Sequence, residues 1–187
     1  MVAHVIPCAP VSRGMGRARR MTGVSEAERM GRAVMSHFLG THQNRLDAKG
    51  RVSVPAAFRA HLRNGSDNGT ASLILRPSHK YPCIEAWPEA VFETLAAPLD
   101  RLDMFSEDQD DLIMALYADA TRVEADKEGR IVLPESLVQH AGLTENVVFM
   151  GLGRTFQIWE PAAAEQRRAD ARNAARSRAL TLPGGHA

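Results

Sequence analysis

Long apolar runs are missing from this 187-residue chain: no stretch approaches the roughly twenty consecutive apolar residues that a membrane-spanning helix needs. The first residues also lack the apolar segment of a secretory signal. Cysteine is scarce. Cys8 and Cys83 stand far apart and fit no metal-ligand spacing, which favours a reducing, cytoplasmic setting. A nucleophile elbow, a phosphate loop, a zinc signature and an isolated pair of carboxylates are likewise absent, so neither an enzyme nor a bound cofactor is expected. His37 and His42 lie five apart near a strand, a poor ligand geometry. Asp108, Asp110 and Asp111 read as a solvated helix start favoured by the helix dipole, and no metal is expected at either place.

What remains is an ordinary soluble composition, 44% hydrophobic and 24% charged, long enough for one or two small domains with a real core. Net charge is only +1, yet the charge is unevenly spread. Residues 36–87 carry seven Lys/Arg against three acids, and residues 88–125 carry two Arg against ten acids. A basic first unit followed by an acidic connector suits a polyanion partner, which the whole-chain sum conceals.

The most informative feature is a repeat. Residues 47–55 read DAKGRVSVP and residues 126–134 read DKEGRIVLP, at a constant offset of 79. Asp47, Gly50, Arg51, Val52, Val54 and Pro55 thus match Asp126, Gly129, Arg130, Ile131, Leu133 and Pro134. Two copies of one unit predict one fold built from two halves, with two equivalent Arg-bearing loops.

Each copy predicts the same order of elements. Residues 41–46 and 51–54 read as a short hairpin around a type I turn, with Asp47 at its first position and Gly50 at its fourth. Pro55 suits a helix start, and Phe58 and Leu62 share one face of the short helix that follows. Strands are expected at 73–75 and 83–87. The second copy predicts a hairpin at 121–133, Pro134 at a helix start, Leu137 in place of Phe58, a helix end at Gly142, and strands at 146–150 and 155–159. Trp159 there takes the part of Trp87. The Gly/Asn-rich stretch from Asn64 to Gly69 is an insertion in the first copy and is expected to be a mobile loop. Between the copies, Val91, Phe92, Leu95 and Leu99 form one helical stripe. Ser106 to Gln109 fits a capping box in which Gln109 reaches back, opening a helix that carries Leu112, Ile113, Leu116 and Tyr117. Pro161 starts an Ala/Arg-rich helix running to about Leu180.

The expected organisation is therefore an extension at 1–34, a first repeat at 35–88, a helical connector at 89–120, a second repeat at 121–160, and a C-terminal helix and tail at 161–187. The extension reads either as a disordered basic tail or as a mis-assigned start, with translation beginning at Met35.

The tandem DAKGRVSVP and DKEGRIVLP elements, each followed by a short helix and a strand pair ending in Trp, resemble the MraZ family of bacterial transcriptional regulators over roughly residues 35–160. A single copy would be less specific, because it occurs across the wider AbrB-like swapped-hairpin superfamily. The resemblance implies an α+β fold in which two AbrB-like repeats form a swapped-hairpin β-barrel with flanking helices. It implies ring-shaped homo-oligomers, association with the nucleoid, and binding to repeated double-stranded DNA elements upstream of the cell-division and cell-wall gene cluster. The family's D-x-x-x-R contact motif falls on Asp47 and Arg51 and again on Asp126 and Arg130.

Those residue types suit the task. Arg presents a planar, permanently charged fork that can grip a phosphate or the O6/N7 edge of guanine. The Asp before it can hold the turn or orient the Arg. Lys49 at the turn tip and Arg45 before it add phosphate-binding charge, as does Lys127 in the second copy. Glu128 opposes Lys127, so the first repeat is expected to dominate affinity. Val52, Val54, Ile131, Leu133 and the two prolines read as structural, and Trp87 and Trp159 as core or subunit-contact aromatics. The competing function is a structural or antitoxin-like protein-interaction module of the AbrB-like class, whose acidic connector (residues 100–111) binds another protein; the acidic helices from Pro88 to Ala120 and the apolar stripe near Leu112 are the candidates for contacts between subunits.

Overall fold

A computed structural model of the chain describes residues 37–64, 72–103 and 106–181. The extension at 1–34 and the insertion after Asn64 fall outside those residues. Within them the chain is a mixed structure of antiparallel strands and short helices: β1 (Thr41–Arg45), β2 (Arg51–Ser53), α1 (Ala56–Asn64), β3 (Ser72–Pro77), β4 (Ile84–Pro88), α2 (Glu89–Glu93), α3 (Ala96–Leu99), α4 (Glu107–Ile113), a π-helical turn (Met114–Ala118), β5 (Thr121–Glu124), β6 (Arg130–Val132), α5 (Glu135–His140), β7 (Asn146–Gly151), β8 (Phe156–Trp159) and α6 (Pro161–Ser177). Among the described residues no helix is long and apolar enough to cross a membrane.

The strands pair across the repeat. A six-stranded antiparallel sheet runs β1-β7-β8-β4-β3-β5, and β2 and β6 form a separate two-stranded ribbon. Read from either edge, the six-stranded order passes through equivalent strands of the two repeats, so a pseudo-twofold axis runs between β4 and β8 and between β2 and β6. This sheet has two free edges and is not closed on itself.

The expected hairpins need correction. β1 does not ladder with β2. Their turn closes through Asp47 N–H to the Arg51 carbonyl at 2.9 Å, and a single bridge joins Leu46 to Val52. The strands then part, β1 to β7 (Thr41 opposite Met150, Arg45 opposite Asn146) and β2 to β6. In the second repeat β5 likewise leaves its turn to pair with β3. The apolar alternation explains the parting: Val52 and Ile131, directly opposed, are both fully buried, which requires β2 and β6 to face the common core together.

That core joins Val52, Val54, Leu73, Leu75, Ile84, Ile131, Leu133 and Ile158 with four phenylalanines. Phe58 on α1 stands 5.1 Å from Phe156 and 5.2 Å from Phe38, ring to ring. Phe149 completes the cluster beside Phe156. Leu137, the counterpart of Phe58, is also buried, and Pro55 and Pro134 stand immediately ahead of α1 and α5 as expected. Trp87 and Trp159 match closely: each indole N–H donates to the side chain two residues earlier, Glu85 and Gln157 respectively.

In the connector, Ser106 caps α4 by accepting from the Gln109 amide at 3.2 Å, half of the expected capping box. The other half is not made: the Gln109 side chain donates instead to the Leu99 carbonyl, tying α4 to α3. The apolar residues Leu112, Ile113, Met114 and Tyr117 that follow are all exposed.

Candidate nucleic-acid interface

Both repeat turns fold through the same hydrogen bonds, and the sequence explains each one. Gly50 donates to the Asp47 carbonyl at 3.0 Å, and Gly129 to that of Asp126 at 2.9 Å, closing the two turns. Both glycines sit at positive φ (+72° and +77°), where a side chain would be strained. Asp47 Oδ1 accepts from the amides of Lys49 and Arg51, and Asp126 Oδ1 from those of Glu128 and Arg130. The other carboxylate oxygen takes the arginine: Arg51 Nε lies 2.7 Å from Asp47 Oδ2, and Arg130 Nε lies 2.8 Å from Asp126 Oδ2. These bonds stabilise the ionised carboxylates. Both Asp residues are held below the ordinary carboxylate pKa, foremost by the backbone amide of the Arg four residues on. Arg130 is correspondingly pushed up by its bond to Asp126.

The β2–β6 ribbon unites the two turns. Arg51 lies opposite Val132 and Arg130 opposite Ser53. Since side chains alternate along a strand, these four share the face opposite to buried Val52 and Ile131. The ribbon is bracketed by two crossed bonds, Leu133 N–H to the Gly50 carbonyl at 2.8 Å and Val54 N–H to the Gly129 carbonyl at 2.9 Å. Both arginine side chains keep 39% of their accessible surface, and Val132 between them keeps 56%. Two guanidinium groups are therefore presented on one exposed face, oriented by carboxylates but not buried by them.

The remaining candidate residues fall around this face with unequal freedom. Lys49 and Lys127 are exposed at the turn tips. Arg45 stands on β1 in the large sheet and pairs with Glu145 at 3.6 Å, both side chains largely in solvent, where such a pair contributes little. Glu128 bends back to take Arg130 Nη2 at 2.7 Å, whereas Arg51 has no second carboxylate among the described residues. Not every cation of the basic first unit is available. Arg76 is only 3% exposed, bound to Glu85 at 2.6 Å and stacked on Trp87, and burial lowers its pKa.

Arg59 is a participant that the repeat pattern alone did not flag. From α1 it reaches the second turn, donating Nη1 to the Glu128 carbonyl at 2.8 Å. At the offset of 79 Arg59 falls against Val138, but the two helices differ at most other positions as well, so the sequence carries no distinct signal for it. Among the described residues, no group of three or more His, Cys, Asp and Glu side chains is placed to hold a metal ion.

Comparison with known proteins identifies the family to which this chain is similar. The family model described as "MraZ protein, putative antitoxin-like" matches residues 37–113 and 116–181. A Gluconacetobacter diazotrophicus protein named Transcriptional regulator MraZ is 69% identical over 149 residues, covering 80% of this chain and 93% of its own length. Proteins of the same name from Gluconobacter oxydans and Pelagibacter ubique are 62% and 43% identical, covering 79% and 74% of this chain and 88% and 87% of their own.

Proposed function

Because the chain belongs to the MraZ family, we propose that it is a transcriptional regulator, not an enzyme, that grips double-stranded DNA with the two arginine turns of the β2–β6 ribbon. The observation that carries this is the pair of Asp-anchored guanidinium groups on one exposed, solvent-facing strand pair. Arg51 and Arg130 contact bases or phosphates, Asp47 and Asp126 hold them in aim, and Lys49, Lys127 and Arg45 add phosphate charge. Supporting the swapped-hairpin barrel is the exchange of β1 and β5 between the repeats 35–88 and 121–160, with the ribbon completing the shared core.

One ribbon offers few contacts. Several copies on a ring-shaped homo-oligomer, meeting several spaced DNA elements, make each later contact effectively intramolecular. The exposed Leu112, Ile113, Met114 and Tyr117 on the connector, residues 89–120, favour subunit contacts there. The targets that fit the family are repeated elements upstream of the division and cell-wall gene cluster, with the protein cytoplasmic and nucleoid-associated. The test is a salt-titrated binding assay of the wild type and an Arg51→Ala/Arg130→Ala double variant against the DNA upstream of its own gene. Binding that survives the double substitution, or that is as tight to one repeat as to several, refutes the reading. The same apolar stripe would serve an antitoxin-like interaction module, and a second protein co-purifying in stoichiometric amount, with no DNA bound, would favour that alternative.

A further inference from the structure

Arg59 lies in the first repeat but is bonded to the second repeat's turn. Its Nη1 donates to the Glu128 carbonyl at 2.8 Å. A Cβ placed on Gly129 would run into Arg59 Cδ, Nε and Nη1, so the side chain lies across that glycine and buries it. Among the described residues the first turn has no such side-chain cover. Val138, the counterpart of Arg59, has no donor to offer. A Cβ on Gly50 would meet, among the described residues, only the Leu133 carbonyl oxygen at 3.1 Å. Both turns share their internal hydrogen bonds and a crossed backbone bond at the glycine carbonyl, but among the described residues only the second is also bonded by a side chain from the other repeat.

The second turn also has more to hold. Glu128 competes for Arg130, taking Nη2 while Asp126 takes Nε. A guanidinium fixed on the Glu128 carbonyl prevents the Glu128–Gly129 peptide from rotating, and so fixes the residue that bears the competing carboxylate. It also sets one cation against the negative charge that Glu128 adds to this loop. Resting on the reading that the ribbon faces DNA, we propose that Arg59 is a positioning residue for the second DNA-facing loop, clamping the Glu128–Gly129 peptide and thereby aiming Arg130.

A residue that acts through Arg130 has a signature that a direct phosphate contact lacks. Arg59→Ala should weaken binding to the upstream repeats by about two- to threefold, the lower end of what one hydrogen bond contributes and less than the loss of Arg130 itself. The loss should be the same in an Arg51→Ala background and should vanish in an Arg130→Ala background. In the DNA-free protein, hydrogen exchange at the Gly129 and Arg130 amides should speed up, while Gly50 and Arg51 stay unchanged. Arg59→Met, which keeps the aliphatic stem, should reproduce both effects and replaces Arg59→Ala if the latter lowers the melting temperature. Full loss of binding in the Arg130→Ala background, with the salt slope falling by about one, would make Arg59 a phosphate contact and overturn the proposal. Unaltered exchange at Gly129 and Arg130 would overturn it as well. If the wild type binds no duplex, the DNA reading fails while the exchange measurement still decides the clamp.

Discussion

Arg51 and Arg130 occupy equivalent places, and their unequal surroundings set an order between them. Arg51 gives Nε to Asp47 and leaves both Nη nitrogens without a hydrogen-bond partner among the described residues. Arg130 gives Nε to Asp126 and Nη2 to Glu128. Residues 47–51 hold one acid against two cations, and residues 126–130 hold two against two. Arg51→Ala therefore removes a fork that is free to make a two-pronged contact, for which roughly a five- to hundredfold loss of affinity is the scale. Arg130 must surrender Glu128 before it can do the same, so Arg130→Ala should cost less, about fivefold at most. The assay is fluorescence anisotropy with a labelled duplex carrying the upstream repeats, at two salt concentrations. Each neutralised phosphate adds about 0.9 to the slope of log affinity against log salt, so a fourfold rise in salt weakens binding by about 3.5-fold per contact. Glu128→Gln should release Arg130 and tighten binding, and Arg130→Ala should then cost more in that background. Arg51→Ala proving clearly milder than Arg130→Ala, or Glu128→Gln giving no gain, would refute the reasoning.

Phe58 is fully buried among Phe38, Phe149, Phe156 and His42, so Phe58→Ala should destabilise the fold by about 3–5 kcal/mol in denaturant titrations, and a loss under about 1 kcal/mol would contradict the core described above. Asp47 and Asp126 have folded pKa values below their ordinary 3.8. Their ionised forms favour the fold, so this contribution is present above that value and lost as pH falls through the lower folded value. An Asp47→Asn/Asp126→Asn variant should show a flatter fall in melting temperature between about pH 5 and pH 2 than the wild type, with superimposable acid limbs the contrary result. Burial pushes the Cys83 thiol up to about 12. In a Cys8→Ser background the remaining thiol should therefore resist alkylation at pH 8 until denaturant is added, and prompt labelling of the native protein would count against that burial.

The turns could be read from the sequence because their chemistry is local. An Asp three residues before a Gly, with Arg next, specifies an Asx-bonded type I turn and leaves the Gly at positive φ, and both copies fold that way. The strand partners could not be read so directly. Thr41–Arg45 pairs with residues a hundred positions away, and nothing within a nine-residue motif distinguishes a local hairpin from strands that part after one bridge. The charge count misjudged Arg76 for a related reason: its burial depends on Glu85 across the β3–β4 pair and on Trp87, which only the folded register brings beneath it. Arg59 was hidden more deeply still. Its partner is a backbone carbonyl sixty-nine residues away, and carbonyls leave no mark in a sequence.

A duplicated unit in one chain has a freedom that a symmetric dimer of single units lacks. In a dimer every substitution appears twice, so a carboxylate at one turn tip appears at the other, and a clamp over one glycine covers both. Here the pseudo-twofold frame is kept where packing demands it: Val52 against Ile131, Phe58 matched by Leu137, and paired crossed bonds at Gly50 and Gly129. Away from the core the two halves diverge, with Lys49 against Glu128, Arg45 against Glu124, and Arg59 against Val138. The first two replacements lie at exposed positions, the third at a half-buried one where Val138 packs against the core, and all three change how one turn presents charge relative to the other. The first turn keeps a free guanidinium fork and a net cation. The second keeps a guanidinium closed by two carboxylates, beneath a clamp from the other half. The shared core constrains the two arginine turns to one exposed ribbon, and the unmatched surface residues make them unequal partners for whatever polyanion the ribbon meets.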